Sequence, residues 1–231
     1  MANTYFKFKQ FTIHQDRCAM KVCTDSCLFG ALIEIDNNAK HILDIGAGTG
    51  LLSLMCAQKS TENVYIDGIE FVSDAYQQAK ENVANTAWAN RVQMLHGDFF
   101  TYDFTKKYDL LICNPPFYQQ QYATKNIHNN IARHNENFDL IHFLEICNNI
   151  STEQAQVYLL LPYYRSIEII EFLQTHPIWH IKNNYTIYNR AEKTPIRTVF
   201  VITKMLIKQC LEKTSIYMVL IINTQANLNN Y

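Results

Sequence analysis

The sequence predicts an α/β domain built on a seven-stranded, mostly parallel sheet, with helices on both faces and a C-terminal antiparallel hairpin. Three observations lead there. Between Lys40 and Lys204, short apolar runs alternate with stretches of helical periodicity. A glycine-rich turn, Asp44 to Gly50 (DIGAGTG), follows the first apolar run and opens the first such helix. The run Leu110-Leu111-Ile112-Cys113 is apolar throughout, as a strand covered on both faces must be, and it stops at Asn114-Pro115-Pro116-Phe117.

Each element follows from its residues. Phe6 and Phe8 alternate with Lys7 and Lys9, the period of a half-buried edge strand, and the same alternation offers a stacking platform for bases. The segment from Gln10 to Ile35 ends in a helical pattern with Leu28, Leu32 and Ile35 on one side. His41 to Ile45 is the first core strand, and Leu51 to Gln58, directly after the glycine turn, reads as a helix. Val64 to Ile69 is the second strand, and Ser73 is placed to cap a helix whose Ala75, Ala79 and Val83 share a face. Arg91 to His96 gives the third strand and Tyr108 to Cys113 the fourth. Phe138 to Ile150 carries Ile141, Leu144, Glu145 and Asn148 in a helical rhythm; Gln156 to Leu161 is a fifth strand, closed by Pro162, which cannot donate to a ladder. After a helix from Ser166 to Gln174, the segments Trp179 to Tyr188 and Ile196 to Lys204 alternate like an antiparallel pair. The chain therefore reads as a single domain over residues 1–231: an extension over 1–40, a core over 41–204 and a tail over 205–231.

Bulk composition limits the function. With 48% hydrophobic and 18% charged residues, the 231-residue chain can bury one large core. A formal charge of −1 and a pI near 6.7 exclude a uniformly basic nucleic-acid binder and confine any phosphate contact to a local patch. The opening residues, MANTYFKFKQ, lack the apolar core of a secretory signal, and the run from Met218 to Ile222 is too short to span a bilayer. A cytoplasmic protein without a membrane anchor is expected. The seven cysteines, at 18, 23, 27, 56, 113, 147 and 210, form neither CxxC pairs nor a disulfide framework, and the first three fit neither a zinc ribbon nor an iron–sulfur triad. Reduced core thiols and no metal follow.

In DIGAGTG, Gly46, Gly48 and Gly50 permit a tight turn and close approach of a ligand to the backbone. The spacing is G-x-G-x-G behind an acid, whereas dinucleotide sites prefer G-x-G-x-x-G with a pyrophosphate at the helix N-terminus. A carboxylate at Asp44 would repel a pyrophosphate and suits a cation. Glu70 in IDGIE and Asp98 in HGDFF end the next two strands, so three acids line the edge at which open α/β sheets bind ligands. On these residues the sequence resembles the class I S-adenosylmethionine-dependent methyltransferases, Rossmann-like enzymes whose first motif looks like DIGAGTG. The resemblance implies S-adenosyl-L-methionine as cofactor, with its ammonium and sulfonium end held by Asp44 and the three glycines. It also implies that Glu70 accepts from the ribose hydroxyls and Asp98 from the adenine amino group, with Phe99 against the ring.

Pro115 and Pro116 fix φ at two positions and lack N–H groups, so the corner after the fourth strand is stiff and its carbonyls remain acceptors. NPPF there looks like the family's fourth motif, found where methyl goes onto an amino group conjugated to a planar system. An exocyclic amine is a poor nucleophile because its lone pair is delocalised. The amide oxygen of Asn114 and the carbonyl of Pro115 can each accept one N–H, localising the pair, while Phe117 stacks on the base; positioning and preorganised dipoles then carry the acceleration. N-P-P-[FY] alone leaves adenine N6, guanine N2 and a protein glutamine amide all open as acceptors.

The run Lys21-Val22-Cys23-Thr24-Asp25-Ser26-Cys27-Leu28-Phe29-Gly30-Ala31 resembles the K-V-x-T-D-x-x-L-x-G-A segment of the bacterial tRNA1(Val) (adenine(37)-N6)-methyltransferase family, with Cys23 where glycine is common. The likeness runs from about Phe6 to Phe200 and takes in Ala132-Arg133-His134 and Pro195-Ile196-Arg197. It implies N6-methylation of adenosine 37 in the anticodon loop of that tRNA, a target already single-stranded. It also makes Thr24 and Asp25 cofactor candidates on a segment that closes over the site. Cations for the RNA are expected at Lys7, Lys9, Arg17, Lys21, Lys125, Arg133, Arg190, Lys193 and Arg197. A monomer with a tRNA partner, no membrane and no metal completes the expectation; an RNA-binding module that has lost catalysis is the non-enzymatic alternative. The ending IYMVLIINTQANLNNY matches nothing in that resemblance.

Overall fold

The computed structural model describes residues 3–115, 139–188 and 194–205, and the backbone of 220–221. In the extension, β1 (Tyr5–Lys7) pairs antiparallel with β2 (Thr12–His14), and α1 (Thr24–Leu32) follows. The core runs β3 (His41–Ile45), α2 (Leu51–Lys59), β4 (Tyr65–Glu70), α3 (Ser73–Ala84), β5 (Val92–His96) and β6 (Tyr108–Cys113). It continues with α4 (Leu140–Ile150), β7 (Ser151–Pro162), a 3-10 turn over Tyr163–Arg165, α5 (Ser166–Thr175), β8 (His180–Tyr188), β9 (Pro195–Thr203) and β10 (Leu220–Ile221).

The sheet order is β10-β8-β9-β7-β6-β3-β4-β5. Only β9 runs against its neighbours β7 and β8; the remaining pairs are parallel. The seven strands legible in the sequence are all present, and the two residues of β10 add an eighth at the far edge. The chain leaves β3 in one direction through β4 and β5 and then crosses back to lay β6 on β3's other side, so the topological switch point lies between β3 and β6.

Strand alternation sorts the core into two layers. Ile42, Ile66, Leu110 and Ile112 face α1, α2 and α3, whereas Leu43, Ile69, Leu111 and Cys113 face α4 and α5. The strand starts are pinned by Asp109, whose Oδ2 accepts from Lys40 N (2.8 Å) and His41 N (3.0 Å) while Oδ1 accepts from Thr152 Oγ1 (3.1 Å). The C-terminal carbonyls of α1, which no intrahelical N–H can satisfy, are met from α2: Lys59 Nζ donates to Gly30 O, Ala31 O and Ile33 O at 2.7–2.9 Å.

Several expectations shift. On α4 the buried stripe is Leu140, Phe143, Leu144, Cys147 and Ile150, while Ile141 is 55% exposed and Glu145 faces solvent. The all-apolar i, i+3, i+4 set wins the core because Glu145 and Asn148 would have to leave water. Ser73 is the first residue of α3 rather than its cap; Val72 holds the cap position, with no side-chain cap hydrogen bond. On α1 the fully buried face is Ser26, Phe29 and Gly30, the helix ends at Leu32, and Leu28 and Leu32 are half-buried. The strand expected from Gln156 begins at Ser151, which pairs with Tyr108 at the start of β6 before a register shift leads to the Leu110–Gln156 pair. Of the six described cysteines, 18, 56, 113 and 147 are buried free thiols, Cys27 is half-buried and Cys23 exposed.

Candidate active site

The glycine turn leaves β3 in a conformation that only glycine adopts without strain. Gly46, Gly48 and Gly50 have φ of 71°, 55° and 79°, and no other described residue has positive φ. Gly46 N and Ala47 N both donate to Ile69 O on β4 (2.9 and 3.0 Å), which ties the turn to the neighbouring strand. A Cβ on Gly46 would meet nothing within 4 Å and one on Gly48 only Gly46 O, so the outer side of the turn opens away from the protein.

Beneath it lies Asp44, 1% exposed. Its Oδ2 accepts from Ser53 N (2.9 Å) and Ser53 Oγ (2.6 Å), both on α2. Its Oδ1 is buried with no hydrogen-bond partner. Burial lifts this carboxyl to about 7, Glu70 adds to the rise, and the two Ser53 donors oppose it. An unpartnered buried carboxylate oxygen costs free energy unless a donor or cation reaches it. Glu70 is also buried: its Oε2 accepts from Gly48 N and its Oε1 from Val72 N, each at 2.8 Å. This carboxylate therefore fixes the turn and retains further lone pairs for a ligand hydroxyl.

Asp98 is half-buried at the same rim and accepts from Phe100 N at 2.9 Å. Phe99 is 7% exposed and packs on Phe104 and Phe143. The open rings beside the acids are Phe71, 55% exposed next to Glu70, and Phe100, 39% exposed next to Asp98; neither is among the residues expected from the sequence. On the other side of the switch point, Cys113 pairs with Ile45, so Asn114 starts one residue beyond the register partner of the strand that feeds the turn. Asn114 is half-buried and Pro115 buried. Pro116, Phe117, Lys125, Arg133, Arg190 and Lys193 lie outside the described residues.

Because β9 is antiparallel, its first residues return to this rim, where Arg197 pairs with Pro162 at the end of β7. Arg197 Nε meets Asp25 Oδ2 at 3.2 Å, so an expected cofactor residue and an expected RNA residue hold each other. Thr24 and Asp25 form the first turn of α1. Arg17 is engaged by Glu81 of α3, and Lys7, Lys9 and Lys21 are exposed. Tyr163 and Tyr164, 41% and 75% exposed, sit on the 3-10 turn that leaves β7 at the same rim.

A groove of about 670 Å³ lies elsewhere, lined by His41, Tyr65, Asp67, Tyr76, Lys80 and Lys106 among others. His41 and Tyr65 begin their strands, so it opens toward the opposite rim and has no part in the arrangement above. Among the described residues no group of three or more His, Cys, Asp or Glu could hold a metal ion, and no helix is long and apolar enough to cross a membrane.

The rim thus combines a buried acceptor suited to a cation, a glycine backbone open to close approach, acids at successive strand ends with exposed rings beside them, and an amide at a proline-stiffened corner. The residues present fit a positively charged nucleoside. A sequence model of the family described as "Methyltransferase small domain" matches residues 24–138. A tRNA1(Val) (adenine(37)-N6)-methyltransferase of Cytophaga hutchinsonii is 41% identical over 175 residues, covering 74% of this chain and 72% of the relative. One of Dyadobacter fermentans is 36% identical over 195 residues, covering 84% and 80%, and one of Haemophilus influenzae 37% over 201, covering 86% and 84%. Among solved structures, an Agrobacterium tumefaciens protein described as a predicted O-methyltransferase superposes with a TM-score of 0.61 at 17% identity, over 86% of this chain and 87% of that one. TrmN from Thermus thermophilus does so with a TM-score of 0.53 at 16% identity, over 72% and 44%. These two likenesses concern the class I methyltransferase fold.

Proposed function

The chain belongs to the tRNA1(Val) (adenine(37)-N6)-methyltransferase family, and from that premise we propose that it methylates N6 of adenosine 37 in the anticodon loop of that tRNA, with S-adenosylmethionine as donor. One observation carries the cofactor assignment: the buried, unpartnered Asp44 Oδ1 beneath a turn of three left-handed glycines.

When bound, the donor supplies an electrophilic methyl group on a sulfonium. Asp44 holds its ammonium end, the backbone of Gly46, Gly48 and Gly50 admits it closely, and Glu70 accepts from the ribose. Asp98 accepts from the adenine amino group, and Phe71, Phe99 and Phe100 supply the apolar walls around that ring. Thr24 and Asp25 close the site from the extension, with Asp25 steadied by Arg197.

On the acceptor side, Asn114 and the Pro115 carbonyl take the two N–H bonds of the adenine amine and turn its lone pair toward the methyl group; Pro116 stiffens the corner and Phe117 stacks on the base. Orientation and fixed dipoles replace a strong base. The amine proton freed after transfer passes to water. Lys7, Lys9, Arg17, Lys21, Lys125, Arg133, Lys193 and Arg197 contribute the cationic contacts to the RNA backbone, and Tyr163 and Tyr164 present faces on which unstacked bases can lie. The protein acts in the cytoplasm as a monomer, and light scattering on the purified chain checks its oligomeric state.

Asn114→Ala tests the assignment. Calorimetry should find S-adenosylmethionine binding within a few-fold of wild type, while turnover on unmodified tRNA falls by a factor of about a hundred or more, the scale of removing a transition-state acceptor. Retained turnover removes Asn114 from the mechanism. Nucleoside mass spectrometry of the methylated tRNA should show N6-methyladenosine; N2-methylguanosine or an unmodified RNA rejects the proposed acceptor.

A further inference from the structure

Two side-chain amides on α3 have no part in the chemistry above. Gln78 and Asn82 are each 1% exposed and sit one helical turn apart, on the face that carries Ala75 and Ala79. A primary amide at that depth must find its partners within the protein. Asn82 Nδ2 donates to Thr49 O, inside the glycine turn, at 2.9 Å and to His14 O, on β2, at 2.8 Å; its Oδ1 accepts from His14 N at 2.9 Å. Gln78 serves the next residues of the extension: Oε1 accepts from Arg17 N and Nε2 donates to Asp16 Oδ1, both at 2.8 Å. Between them, the Ala79 Cβ lies 3.4 Å from where a Cβ on Gly50 would stand, so the helix backbone presses directly on the turn. Cys18, next after Arg17, is buried; burial lifts its thiol, and the nearby Glu70 carboxylate adds to the rise.

One amide nitrogen is thus shared between two carbonyls that are 35 residues apart in sequence, and neither can move without bending the other's hydrogen bond. We propose that Asn82 is a positioning residue that sets the Thr49 carbonyl, and with it the left-handed glycines 48 and 50 on either side, in register with residues 14–17 of the extension. The occupied turn and the docked extension then stabilise each other. This rests on the reading that the turn receives S-adenosylmethionine.

The test joins calorimetry with amide hydrogen exchange. In the wild-type protein, S-adenosylmethionine should raise the protection of the His14 and Arg17 amides. Asn82→Ala should weaken donor binding about tenfold, the equivalent of one buried hydrogen bond. It should also raise the donor KM more than it lowers kcat, and abolish the donor-dependent protection. Gln78→Ala leaves the partner of Thr49 O in place and should weaken donor binding less than Asn82→Ala does. If Asn82→Ala does not fold, exchange in the wild type decides. Donor bound with unchanged protection at His14 and Arg17 overturns the coupling, as does equal donor affinity in a folded Asn82→Ala. A wild-type protein that binds no S-adenosylmethionine overturns the cofactor reading itself.

Discussion

Near neutral pH the Asp44 carboxyl is poised to gain or lose its proton, because burial holds it at about 7 in the free protein. A cation needs the ionised form, so the affinity for S-adenosylmethionine should be flat above that value. Below it the affinity should fall by up to about tenfold per pH unit, as each binding event must first expel a proton. Calorimetry between pH 5.5 and 8 in buffers of different ionisation enthalpy would show proton release on the acid side, and Asp44→Asn should bind weakly with no such slope. Asp44, Glu70 and Asp98 were legible in the sequence because a strand-end acid needs only its neighbours to be recognised. Ser53, which gives Asp44 both its hydrogen bonds, was not. It sits inside a helix where serine has no local signature, and its partner is nine residues back across a turn. Asn82 was hidden for the same reason: its partners lie 33 and 68 residues away. Exposure explains Phe71 and Phe100, since sequence alone does not say which of several adjacent aromatics will point into the core.

Among the elements, β4 shows how tightly the site is built into the sheet. A Cβ on Gly68 would come within 2.7 Å of Met94 Cε and 2.9 Å of Ser53 Oγ. The Met94 thioether can yield, but Ser53 is short and already bonded to Asp44. Gly68→Ala should therefore cost about 1–3 kcal/mol in urea denaturation, the usual range for overpacking, and weaken donor binding as well. An unchanged donor affinity would mean that Ser53 adjusts without moving Asp44. Element existence and order were readable because short apolar or alternating runs such as Tyr108–Cys113 and Val92–His96 mark the strands and a glycine turn opens α2. The helical rhythm of α4 was legible but its buried face was not, because Ile141 fits that rhythm as well as Phe143 does; only the second also aligns with Cys147 and Ile150. The first turn of β7 was missed because Thr152, Glu153 and Gln154 look like loop residues, and exposure at a sheet's open start makes polar side chains acceptable there.

For the molecule as a whole, a net charge of −1 means that RNA is drawn by a few local cations against a neutral background. Binding of tRNA should fall steeply with salt, and Lys7→Ala and Lys21→Ala should each lower the magnitude of the log–log slope by about one if the residue meets a phosphate. Filter binding across a salt series measures this, with donor affinity as the unchanged control. Lateral strand order was the part of the architecture least accessible from sequence, since apolar periodicity says that a strand is buried but not which neighbours bury it. That order matters during synthesis. The ribosome makes β8 before β9, yet in the sheet β9 lies between β7 and β8. Until about residue 203 has emerged, the apolar stretch from Val157 to Leu161 keeps one edge open, and β8 lacks β9, the strand that joins it to β7. A nascent or truncated chain ending short of β9 should therefore be a client for chaperones, and premature termination there should yield aggregates instead of a smaller working enzyme.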